Sequence, residues 1–161
     1  MADQVESPKS SEANSSDVTI IVLAPSYEAF GMAIDFLART DPFGSYETEA
    51  LAKVVLNQLK SGHNLAAMRD NEMIGYAGWL LTTEELGEEW TEGRTILRPL
   101  PKDKANAAAL TVFASGDSSA TTRLIRGARE INKGVRVFFK RGYDGTLRDS
   151  RKNSVLNFSN D

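Results

Sequence analysis

Residues 61–86 read SGHNLAAMRDNEMIGYAGWLLTTEEL, and the reading of this stretch decides the fold. "NLAAMRD" has the content of a short strand. "MIGYAGWLLT" is a longer run, nearly all apolar, as a strand buried on both faces would be. Asp70 and Asn71 between them favour a tight hairpin, although the turn lacks its usual glycine. The stretch also holds His63, the single histidine of the chain.

Upstream of the hairpin, "VTIIVLA" (18–24) is β-branched and apolar and predicts a buried strand. Pro25 and Ser26 end it. "SYEAFGMAIDFLART" (26–40) places Phe30, Ile34 and Leu37 at helical spacing behind a candidate N-cap, Ser26. "DPFGS" (41–45) breaks the pattern. "YETEALAKVVLNQLKSG" (46–62) is a second helix, striped by Leu51, Val54, Val55 and Leu59 and closed by Gly62.

Downstream, "TTEELGEEWTEG" predicts a short acidic helix, and "RTILRPLPKDKAN" is irregular. "AAALTVFAS" (107–115) is a strand. "SATTRLIRGAREINKG" (119–134) is a helix with arginines on its outer face, and "VRVFFKR" (135–141) is a last strand. The element order is β-α-α-β-β-β-α-β. It predicts an α/β (α+β) mixed sheet flanked by helices. The domain is expected over residues 18–142, between a polar, disordered N-terminal tail (1–17) and a polar, basic C-terminal tail (143–161).

Composition removes whole classes of chemistry. The 161 residues contain no cysteine, so disulfides, thiol nucleophiles and thiolate metal sites are out together. With one histidine, no zinc site is expected. The start of the chain lacks the features of a secretion signal, and no apolar run is long enough to span a membrane. A cytoplasmic location is the expectation.

The net charge of −3 conceals an asymmetry. Residues 1–122 carry 9 Lys or Arg against 18 Asp or Glu, whereas residues 123–152 carry 10 against 3. Arg123, Arg126, Arg129, Lys133 and Arg136 lead the basic segment. They suggest an anionic partner, and a solvated helix face is the plainer alternative. Apart from Phe138, Phe139 and Tyr143 the segment lacks interleaved aromatics, which argues against a nucleic-acid role.

The element order resembles that of the Gcn5-related N-acetyltransferases. The hairpin "RDNEMIGYAGW", with "LARTDPFGS" and "EALAKVVLNQLKSG" before it and "LTTEEL", "LRP" and "VFASGD" after it, resembles the toxin-activating lysine acyltransferases. That family fatty-acylates lysines of RTX toxins. The likeness spans roughly residues 28–141. It implies transfer of a fatty acyl group from acyl carrier protein to a lysine amine. Acyl carrier protein and a protein substrate are then the partners, no cofactor is tightly bound, and a homodimer is left open. An acidic carrier protein would suit the basic C-terminal third.

The sequence departs from that family at its active site. The family's histidine after the turn between the first two helices falls near Gly44. Its aspartate, in the strand that leads into the glycine turn, falls at or near Thr111. "PKDKANAA" replaces its Trp and Gly-Asp, and Gly78 replaces a serine before the hairpin tryptophan.

The remaining catalytic candidates are His63, Asp41 and Asp117. A hydrogen-bonded surface histidine and two helix-capping aspartates are the plainer readings. Tyr76, Gly78, Trp79 and Thr111 are the candidates for contact with an acyl chain. Tyr76 and Trp79, three apart on one strand, face opposite sides, and packing is expected for both.

In an N-acetyltransferase the turn before the fourth helix would cradle the coenzyme A pyrophosphate. "SGDSSATTR" has one glycine there and an acidic Asp117, which weakens a coenzyme A reading. Three functions follow in order: an acyl-carrier-protein-dependent lysine acyltransferase, a binding module on the same fold with its chemistry lost, and an acetyl-coenzyme A-dependent N-acetyltransferase.

Overall fold

A computed structural model describes residues 17–140 and the backbone of 154–156. Expectations for the rest of both tails, including Arg141, Tyr143, Arg148, Arg151 and Lys152, lie outside the described residues.

Strand β1 (Thr19–Ile21) leads to α1 (Tyr27–Ala38), a 3-10 turn (Phe43–Ser45) and α2 (Thr48–Ser61). The hairpin follows as β2 (Asn64–Arg69) and β3 (Glu72–Thr82), then α3 (Glu84–Thr91), β4 (Ala107–Ser115), α4 (Ser118–Ile131), β5 (Arg136–Phe139) and β6 (Ser154–Leu156). The six strands lie in the order β1-β2-β3-β4-β5-β6. All neighbours are antiparallel except β4 and β5, which are parallel and joined by α4. β6 pairs with β5, in a stretch whose sequence reads as tail.

The caps explain the helix starts. Ser26 accepts the Ala29 N–H at 3.0 Å, Thr83 the Leu86 N–H at 3.2 Å and Asp117 the Ala120 N–H at 2.8 Å. Gly62 closes α2 in the left-handed region at φ 73°. Asp70 and Asn71 both take positive φ, 50° and 62°, so the hairpin turn forms on the two residues after glycine that best tolerate that region.

β1 differs from expectation. It is short and lies at the sheet edge, with Ile21 and Val22 exposed. Its ladder with β2 ends at Ile21, and at Leu23 the backbone N–H turns to the Asn64 side chain instead, at 2.8 Å. Val54, expected in the apolar stripe of α2, is also exposed.

The sheet has two packed faces. Leu37, Phe43, Leu51, Val55 and Leu59 bring α1 and α2 onto Tyr76, Val112 and Ala114. On the other face, Leu124 and Ala120 of α4 meet Ala77, Trp79 and Ala108. α3 covers the far end of the first face, where Leu80, Ala107, Ala109 and Phe138 cluster.

Candidate functional site

Two irregularities meet at Thr111. The β3–β4 ladder pairs Gly78 with Val112 but Trp79 with Leu110, so Thr111 is an extra residue with no opposite number. It is a β-bulge, and the pattern of faces changes there. Before it the odd residues Ala107 and Ala109 lie on the Leu80 side; beyond it the even residues Val112 and Ala114 lie on the Tyr76 side, which is the same face. Among the described residues, the parallel pairing of β4 with β5 runs from Ala107–Arg136 to Leu110–Phe139 and reaches no further along β4. A bulged strand bends, and bulges commonly re-aim a side chain beside a site. Thr111 sits at the middle of β4, on the bulge, half-buried.

A polar chain converges on this bulge. Gln58 of α2 is buried, yet it lies among the apolar residues Leu51, Val55 and Leu59. Its Nε2 donates to Thr111 Oγ1 at 2.9 Å, and its Oε1 accepts the Tyr76 hydroxyl at 2.8 Å. Its backbone carbonyl accepts both the His63 N–H at 3.0 Å and Asn64 Nδ2 at 3.1 Å. The amide thus reaches over Gly78. A Cβ at position 78 would stand 2.0 Å from Gln58 Oε1, so only glycine admits it. Burial pushes the Tyr76 phenol well above its usual range, so it stays a protonated donor.

Of the candidates for acyl contact, Tyr76, Gly78 and Thr111 come together through Gln58. Trp79 does not join them. It is 1% exposed and packs on the opposite face, against Leu65, Ala120 and Leu124, as ordinary core.

The three catalytic candidates are not assembled. His63 stacks on the Trp79 ring with centroids 6.1 Å apart, on the α4 side of the sheet from Thr111. Burial lowers its pKa, which keeps it neutral. Asp41 is exposed ahead of the 3-10 turn and caps no helix, because Glu47 occupies the N-cap position of α2. Gly44 in the same turn has no room for a histidine: a Cβ there would lie 2.5 Å from the Ala38 carbonyl oxygen.

Asp117 does cap α4. It also accepts from Arg69 Nη1 at 2.7 Å. The Ala120 N–H and then Arg69 hold its carboxyl below the usual carboxylate range. This turn tests the fit of a coenzyme A pyrophosphate. A helix N-terminus binds an anion through free N–H groups, but here a carboxylate already takes one and a guanidinium already neutralises it. The residues present do not fit a pyrophosphate at this turn.

The basic face is partly engaged within the chain. Arg123 donates to the Val18 carbonyl and lies 3.9 Å from Asp17. Lys133 reaches Glu130 at 3.3 Å and Arg136 reaches Glu84 at 3.9 Å. Arg126 and Arg129 are exposed along α4, and Lys133 is exposed just beyond its end. Among the described residues no cluster of His, Asp and Glu could hold a metal, and no helix is long and apolar enough to cross a membrane.

No protein-family model and no curated protein matches the sequence. Solved structures do match in fold. Mosquito arylalkylamine N-acetyltransferase-like 5b superposes with a TM-score of 0.55 at 11% identity, covering 76% of each chain. A GNAT-family acetyltransferase from Streptococcus agalactiae gives 0.51 at 11% identity, over 76% of this chain and 74% of the other. The PaiA N-acetyltransferase of Thermoplasma acidophilum, solved in complex with coenzyme A, gives 0.50 at 15% identity, over 86% and 95%. At such identities the likeness is one of fold: the chain has the N-acetyltransferase fold.

Proposed function

We propose that this protein is an acyltransferase that moves an acyl group from a phosphopantetheine thioester to an amine. The observation that carries the reading is the bulge in β4, with the half-buried Thr111 hydroxyl on it and a buried amide and phenol behind it. The N-acetyltransferase fold of the solved neighbours supports the reading, and one of them is a coenzyme A complex.

Between donors, the α4 N-terminus favours acyl carrier protein over coenzyme A. The Asp117–Arg69 pair opposes a pyrophosphate, whereas a carrier protein presents the same thioester arm on a single phosphate. The carrier's acidic surface would meet Arg126 and Arg129 on α4 and Lys133 just beyond it. A lysine of a protein is the acceptor that the likeness to the toxin-activating lysine acyltransferases implies. A second reading, a binding module without catalysis, is favoured by Gly44, where no histidine can stand.

Native mass spectrometry of the protein, mixed in turn with acyl-loaded carrier protein and with acetyl-coenzyme A, tests the reading. A one-to-one complex with the loaded carrier is expected. A complex with coenzyme A alone would move the donor assignment, and binding of neither would favour the module.

A further inference from the structure

The polar chain at the bulge has a direction. Gln58 has one amide oxygen and one amide nitrogen to share between Tyr76 and Thr111. Two arrangements satisfy the amide. In one, Tyr76 donates to the amide oxygen and the amide nitrogen donates to Thr111, which leaves the Thr111 hydroxyl proton over. In the other the amide is flipped, and the Tyr76 proton is left over.

Burial decides between them. Tyr76 is 0% exposed, whereas Thr111 is half-buried. Leaving a donor unsatisfied costs most where water cannot reach it. The spare proton therefore belongs to Thr111. Among the described residues, Gln58 Nε2 is the one side-chain hydrogen-bond partner of that hydroxyl. Accepting a bond from the amide also makes the hydroxyl a better donor.

Building on the acyltransferase reading, we infer that the Thr111 hydroxyl, aimed by Gln58 and Tyr76, is a hydrogen-bond donor to the carbonyl oxygen of the bound thioester. A neutral amine nitrogen attacks the carbonyl carbon, a C–N bond forms, and the π pair moves onto oxygen. Thr111 stabilises that oxyanion as its charge develops. On collapse the C=O re-forms and the C–S bond breaks. The sulfur leaves as thiolate and is protonated by the proton lost from nitrogen, so the products are an amide and a thiol. Thr111 touches the reacting oxygen. Gln58 and Tyr76 act through it and are positioning residues.

The test compares wild type with Thr111→Val and Thr111→Ser, using acyl-loaded carrier protein and acetyl-coenzyme A as donors and a lysine-containing peptide as acceptor. Thr111→Val is expected to lower kcat by about 10²-fold with KM little changed, the signature of a donor that acts on the transition state. Thr111→Ser restores the hydroxyl and should recover most of that loss. Tyr76→Phe, which frees the Gln58 oxygen and lets the amide turn, should lower kcat by a smaller factor, again with KM little changed. A melting curve on each variant separates misfolding from lost chemistry. Equal kcat in wild type and a folded Thr111→Val would overturn the inference and leave the acyltransferase reading standing. No transfer by wild type from either donor would overturn both.

Discussion

The two faces of β3 are built by different rules. Ala77 and Trp79 look toward α4 into an apolar layer with Leu65, Ala108 and Leu124, and His63 stacks on the Trp79 ring. Tyr76 and Gly78 look toward α2, where a buried amide and a phenol meet a hydroxyl from β4. The apolar face needs only volume and shape. On the polar face Gln58 and Tyr76 find partners in each other and in Thr111, which keeps one proton over, while the Thr82 hydroxyl on the same face is buried without a partner among the described residues. A core can be built without such a chain, and under the proposed acyl transfer that face is the working one.

The largest effect that sharpens this contrast is expected on the apolar side. Trp79→Ala should cost about 3–5 kcal/mol in a urea titration, because a large buried side chain is deleted and the cavity cannot close. Gly78→Ala comes next. A methyl group 2.0 Å from the Gln58 oxygen must drive the amide away, breaking its bonds to Tyr76 and Thr111, at a cost of about 2–3 kcal/mol. An unchanged urea midpoint for this variant would break the comparison at its centre.

Gln58→Leu should cost about 1–3 kcal/mol, because it strands the Tyr76 hydroxyl in the core. Adding Tyr76→Phe should recover part of that loss, since no buried donor is then left unpaired. Additive losses in the double variant would mean that the two side chains are not coupled.

The smallest effect lies outside both faces. Asp117→Asn keeps a cap acceptor but loses the charge opposite Arg69. The Asp117 pKa is depressed in the folded state, so its contribution is present above the unfolded value and fades as pH falls through the folded one. Urea midpoints from about pH 6 down to about pH 2 should therefore fall less steeply in the variant than in wild type.

The sequence carries most of the scaffold and less of the site. Ser26, Gly62 and the Asp70–Asn71 pair mark boundaries by local chemistry, and local chemistry is legible in one dimension. The alternation of Tyr76 and Trp79 across a strand is legible for the same reason. The bulge at Thr111 is not, because it is a property of register between β3 and β4, and neither strand shows it alone. Gln58 did leave a signal: it falls between Val55 and Leu59 on the buried stripe of α2, where a polar residue must have a partner. The identity of that partner, 53 positions away, is set by the fold. β1 misleads for a related reason. "VTIIVLA" has the composition of a buried strand, but Asn64 takes over the Leu23 N–H and the ladder stops short.

If the face holding Gln58, Tyr76 and Thr111 serves acyl transfer from a thioester, thiol is released from acyl-loaded carrier protein in the presence of a lysine-containing peptide. Measured on that donor and separately on acetyl-coenzyme A, peptide-dependent release from the loaded carrier is expected, with one acyl group gained by the peptide for each thiol freed. Absence of release from both donors, by a protein that is folded and pure, would contradict it.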